Sequence, residues 1–234
     1  MRSIFYPVIF FAACVAASAQ SPGKILQNAE RALGGRKNLA AVKSIERTGT
    51  VTRLSDGASG RYSQTAKAPN LYHVGYDLNG FETEMGSNGR SGWIRDSRSG
   101  LRTLTGDESG DFQAAAVFRS TLWLNYKKER AKITSGGKSD INGKRTNIVL
   151  LTTARGTTIK LYFDAVSHLP VREEIPFGES VELIEYDDYR KVGKAIQPYS
   201  ARITVGDESL NVKFDDIRPN SPIDSAKFSF PKIS

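Results

Sequence analysis

The sequence predicts a mainly β protein with a few helices (α+β), built as one antiparallel sheet of about eleven strands curved around a helix or a cavity. Three observations carry this. Apolar residues alternate with period two through much of the 234-residue chain, as they do in strands with one dry face and one wetter face. Asn-Gly and Asp-Gly turns recur at short intervals, and short loops make neighbouring strands antiparallel. Helical spacing is confined to the stretches near residues 21–35 and 111–128, so repeated α/β crossovers are excluded.

Residues 1–19 read as an export signal. Arg2 supplies a short positive region, Ile4 to Ala16 is an apolar run, and Ala17-Ser18-Ala19 forms a small-residue cleavage site before Gln20. The run is too short to span a ~30 Å hydrocarbon core comfortably. A rival reading takes Phe11-Ala12-Ala13-Cys14 as a lipoprotein processing box, with Cys14 as lipid acceptor and membrane anchor. Cleavage after Ala19 removes the single cysteine. The remaining residues 20–234 then make one periplasmic domain that folds on its core without a disulfide.

Ser21-Pro22 opens the first helix, with serine at the cap and proline in the first turn. Ile25, Leu26, Ala29, Ala32 and Leu33 form one stripe, and Gly34-Gly35 closes it. A shorter turn carries Leu39 and Val42. Strand patterns follow: Tyr72, Val74, Tyr76 and Leu78 share one face, as do Phe81, Thr83 and Met85. Ile159, Leu161 and Phe163 repeat the pattern, then Tyr199, Ala201, Ile203 and Val205, and finally Leu210, Val212 and Phe214. Asp111 to Lys128 lacks Gly and Pro, and Phe112, Ala115, Ala116, Phe118 and Leu122 recur at helical spacing. An apolar arc this broad belongs to a buried helix or one facing a cavity.

The formal charge is +8. In an exported chain this excludes nucleic acid as a partner and favours a solvated basic surface or anionic envelope polymers. Catalytic signatures are missing: there is no G-x-S-x-G elbow, no phosphate-cradling Gly-rich loop and no H-E-x-x-H. His73 falls on the strand face opposite Tyr72 and is expected in solvent; His168 falls in a turn. Asp187-Asp188 and Asp215-Asp216 point to opposite faces of their strands unless a bulge intervenes, so no metal site is expected. No catalytic residue, metal or cofactor is assigned, and the domain is expected to be a monomer.

The apolar residues carry more. The inward candidates are Tyr72, Val74, Tyr76, Phe81, Met85, Trp93, Leu161, Phe163, Ile203 and Phe214. Of these, Tyr72, Tyr76, Met85, Trp93 and Phe163 on the sheet, with Phe118 and Leu122 on the helix, are the candidate ligand-binding residues of a hydrophobic cavity. The alternative is that they simply fill a core.

The C-terminal third has a recognisable order. Leu161-Tyr162-Phe163-Asp164 is followed by His168-Leu169-Pro170-Val171-Arg172, Tyr186-Asp187-Asp188-Tyr189-Arg190, Gln197-Pro198 and Phe228-Ser229-Phe230-Pro231. It resembles the periplasmic lipoprotein carrier and sorting proteins of the LolA/LolB-like superfamily, most strongly over residues 159–231. The resemblance implies a half-open antiparallel β-barrel with helices covering its concave face, and a cavity for acyl chains of lipids or lipoproteins. No residue here matches the carriers' lid-locking arginine. Three function classes follow: a non-enzymatic acyl-chain carrier, an envelope sensor or interaction module with a membrane-associated protein partner, and a hydrolase using dispersed carboxylates. The first fits the residues best.

Overall fold

Ser21 caps α1 (Pro22–Ala32) with extended backbone, and proline occupies the first turn, where its missing N–H costs nothing. Ile25, Leu26 and Ala29 form the buried stripe. Gly34 and Gly35, at φ +110° and +94°, reverse the chain into α2 (Arg36–Ala41) through backbone that glycine adopts most readily. The computed structural model describes residues 20–231; residues 1–19, read above as an export signal, and with them Cys14, lie outside the described residues.

Six strands follow: β1 (Ser44–Arg53), β2 (Ser59–Lys67), β3 (Leu71–Leu78), β4 (Phe81–Ser87), β5 (Gly92–Asp96) and β6 (Gly100–Thr103). After α3 (Gly106–Thr121) come β7 (Lys132–Ile141), β8 (Lys144–Thr152), β9 (Thr158–Asp164) and β10 (Pro170–Phe177). The set closes with β11 (Ser180–Val192), β12 (Ala195–Val205) and β13 (Glu208–Pro219). All pair antiparallel in one sheet of 13 strands, ordered β6-β5-β4-β3-β2-β1-β13-β12-β11-β10-β9-β8-β7. Asn79-Gly80 and Asn142-Gly143 both hold positive φ at both positions, the twist that two-residue hairpins need.

The sequence order is broken at one place, where β1 pairs with β13 in the middle of the sheet. β6 and β7 are therefore the two free edges, and α3 is the segment that joins them. It crosses one face of the sheet and packs on β2 to β5 and on β10, while α1 covers β7 and β8 of the same face. The result is an open barrel rather than a closed one, with the helices on its inner face.

Two departures from the sequence reading have local causes. The two strands beyond the expected number are at the edges: β6 and β7 are largely exposed and lack apolar alternation because each has only one neighbour to satisfy. The long helix spans 106–121 rather than 111–128. It starts early because Asp107 and Glu108 occupy its first turn, where carboxylates meet the positive end of the helix dipole. It stops because Leu122 turns to φ +53°, which carries Trp123 into the core, edge-on to Phe163 at 5.2 Å.

The outer face is covered over β2 to β5. Thr65, His73, Gly86 and Trp93 form a row across β2 to β5. A Cβ on Gly86 would run into the Trp93 indole, so glycine makes the seat for that ring. The 3-10 turn Ser225–Phe228 packs over β3. His73, expected in solvent, is on the predicted face but only 6% exposed, because the C-terminal segment and Trp93 bury it.

Candidate functional site

Between α3 and the inner face lies a cavity of about 160 Å³. Leu33, Leu39 and Val42 from the amino-terminal helical segment and Ile184, Ile203 and Phe214 from the sheet make it apolar on most sides. Exposed Ala40 and Asn125 also border it, so it opens to solvent at the α2 end. A second cavity, of about 210 Å³, lies further along α3 beside Tyr126, Leu151 and Ile159. Among the described residues, Phe118 and Leu122 alone line both. They are the partition between the two spaces.

The remaining wall of the first cavity is polar and organised. Arg119, on α3, donates Nη1 to Glu173 Oε2 at 2.7 Å and to the Tyr186 hydroxyl at 3.0 Å, and Nη2 to Glu182 Oε2 at 3.1 Å. The Tyr186 hydroxyl in turn donates to Glu173 Oε2 at 2.9 Å. Burial, and then the Glu173 charge, push the Tyr186 phenol far up, so it stays a neutral donor. Burial alone would lower the proton affinity of Arg119, but Tyr186, Glu173 and Glu182 raise it well above its ordinary value. On β1, Arg47 donates to the side-chain oxygens of Gln64 at 2.8 Å and Gln197 at 2.9 Å. Gln64 Nε2 donates to the Tyr72 hydroxyl at 2.9 Å.

These groups can bind and orient a molecule. The aliphatic hydroxyls of the cavity are occupied: Ser120 Oγ donates to the Ala116 carbonyl at 2.7 Å and Thr121 Oγ1 to that of Val117 at 3.0 Å. The Glu173 carboxylate is committed to Arg119 and Tyr186. Asp215 is passed over where the β1–β13 register shifts, so a bulge of the kind the sequence reading allowed for occurs at that pair, while β11 and β12 stay in register through Asp187 and Tyr189. One acid of each pair is taken by an arginine: Asp188 pairs with Arg190 at 2.6 Å and Asp216 with Arg218 at 3.1 Å. Among the described residues no three His, Cys, Asp or Glu side chains cluster as metal ligands.

The chain matches no family model and no curated protein; solved structures do match it. A DUF1329 family protein from Desulfovibrio piger aligns over 90% of this chain and 98% of its own, with a TM-score of 0.57 at 11% identity. A putative outer membrane lipoprotein-sorting protein domain from Vibrio parahaemolyticus aligns over 88% and 94%, with a TM-score of 0.55 at 9% identity. A LolA superfamily protein from Nitrosomonas europaea aligns over 90% and 98%, with a TM-score of 0.55 at 14% identity. The fold is LolA-like.

Within this LolA-like fold the seven residues singled out from sequence separate into groups. Phe118 and Leu122 border the cavity, although Leu122 caps the helix instead of lying within it. Tyr72 is on the inner face beside the cavity, packed edge-on to Phe112 at 5.9 Å and tied to Gln64. Tyr76 and Met85 share that face but lie away from the cavity, at the edge of the core built on β1 to β3. Phe163 is fully buried beneath Trp123. Trp93 is on the outer face: its register partner Gly86 pairs with His73, while the adjacent Gly92 is the residue that faces Phe112 and Leu104 inside. Phe81, among the wider inward candidates, sits at a hairpin tip and is 48% exposed.

Sequence reasoning missed the polar wall altogether. A signal was there: Ile45, Arg47, Gly49 and Val51 alternate, which places an arginine among inward apolar residues. Arg119 likewise follows the apolar run Ala114 to Phe118.

Proposed function

We propose that the chain is an exported, non-enzymatic binding protein for a hydrophobic ligand, the acyl chains of lipids or lipoproteins, acting in outer-membrane lipoprotein sorting or transport in the periplasm. The observation that carries this is the apolar cavity under α3, open at the α2 end and sharing Phe118 and Leu122 with a second cavity. A helix braced across an open barrel leaves space that side chains do not fill, and such space takes apolar ligands. Burial at ~0.8 kcal/mol per methylene would give a sixteen-carbon chain on the order of 10 kcal/mol before the costs of immobilisation. The fold shared with a lipoprotein-sorting domain supports the same reading.

The test is mass spectrometry of lipid co-purifying with the protein from its native envelope, together with fluorescent fatty-acid titration of delipidated protein. A bound acyl lipid and saturable titration are expected. No bound lipid and no saturable binding would reject the carrier reading.

A further inference from the structure

The cavity wall holds two guanidinium groups, and only one has counter-ions. Arg119 is matched by Glu173 and Glu182. Arg47 lines the same cavity, and its two side-chain partners, Gln64 and Gln197, are neutral amides. Among the described residues no carboxylate lies within ion-pair distance of it. The charged and titratable groups around it include the phenols of Tyr186, Tyr62, Tyr72 and Tyr189 and the Arg119 cation. Those phenols are pushed up by burial, so they bring no negative charge.

A guanidinium keeps its proton inside proteins, and Arg47 is half-buried, so its charge is partly desolvated with no anion beside it, which is costly. Burial, with Arg119 adding to it, already lowers the proton affinity of Arg47. Glutamate at position 64 or 197 would neutralise the charge at nearly the same size. Glutamine instead holds the fork in place and leaves its charge unspent. Gln64 is itself fixed by its bond to Tyr72, so its oxygen is aimed at Arg47. Among the described residues the other N–H groups of the fork have no acceptor, and the cavity is where an acceptor would fit.

We infer that Arg47 is the docking point for an anionic head group, so that the cavity selects acyl lipids ending in a carboxylate or a phosphate monoester over those ending in a neutral group. This rests on the acyl-binding reading above and names the ligand class within it. A guanidinium fork matches either oxyanion, and Val42 and Ile203 supply apolar wall for the methylenes that follow.

Palmitate, hexadecyl phosphate and 1-hexadecanol have one chain length and three head groups. Each is titrated into delipidated protein, followed by the fluorescence of Trp123, which lines the cavity. At least one of the two anions is expected to bind tenfold or more tighter than the alcohol, and which one leads identifies the head group as carboxylate or phosphate. Arg47→Met is expected to abolish the preference, and Arg47→Lys, which keeps the charge, to retain part of it. Equal binding of all three by the wild type would overturn the inference and leave acyl binding standing. A preference that survives Arg47→Met would overturn it as well. Failure of all three to bind would overturn the acyl-binding reading along with it.

Discussion

Arg119 and Glu173 meet at 2.7 Å with side chains only 7% and 5% exposed, joining the last turn of α3 to β10. The pair ties the crossing helix to the sheet within the polar part of the cavity wall. Its attraction is set against the desolvation of both charges, so its net worth is small while the cost of breaking it is large.

Removing one partner should therefore hurt more than removing both. Glu173→Gln is expected to cost about 3 kcal/mol, because it leaves Arg119 buried with only the more exposed Glu182. Arg119→Met combined with Glu173→Gln should cost less than Glu173→Gln alone. Urea unfolding of both variants decides it. A double variant less stable than the single one would mean that the pair is a net stabiliser.

Leu122 combines φ +53° with ψ −144°, backbone that costs a residue with a Cβ about 1–3 kcal/mol. Glycine at this position should accordingly be more stable than alanine by ~1 kcal/mol, the reverse of the helical order. Leu122 also lies between two cavities, so Leu122→Ala should cost less than the ~2–5 kcal/mol of a close-packed leucine while weakening fatty-acid binding. A larger stability loss without a binding change would assign Leu122 to a filled core.

His73 is expected to make stability fall with acid. Burial, then Lys227 and Arg95, lower its pKa to about 4, against about 6.5 in the unfolded chain. Between those values the unfolded state binds the extra proton, so this stabilisation is complete above pH ~6.5 and is lost as the pH falls towards 4. The loss amounts to about 3 kcal/mol at most. Unfolding free energies at pH 7 and pH 4.5 should differ less for His73→Leu than for the wild type. Equal pH slopes would place the acid sensitivity elsewhere.

The export reading makes a prediction about mass. Protein taken from its native envelope should begin at Gln20, with no lipid modification. A species beginning at a diacylated Cys14 would replace secretion with membrane anchoring.

What the sequence determined by itself is local. Period two marks strands, Asn-Gly marks hairpins, and the Ser21-Pro22 start and Gly34-Gly35 stop delimit α1. These signals are carried by neighbouring residues, so the mainly β class, the antiparallel order and the amino-terminal helix were all legible. What only the tertiary structure decided is which face is inside and what covers it. Alternation separates Tyr72 from His73, but the face holding His73 and Trp93 is buried by residues 225–228, well over a hundred positions away along the chain. The pairing of β1 with β13 leaves edges whose polar strands carry no pattern to read. It also sends α3 across the inner face, where Arg119 meets Glu173. Arg47 has Gln64 on one side and Gln197 on the other for the same reason: the polar wall is assembled from strands distant in sequence, and each of its residues taken alone looks like an ordinary surface charge or amide.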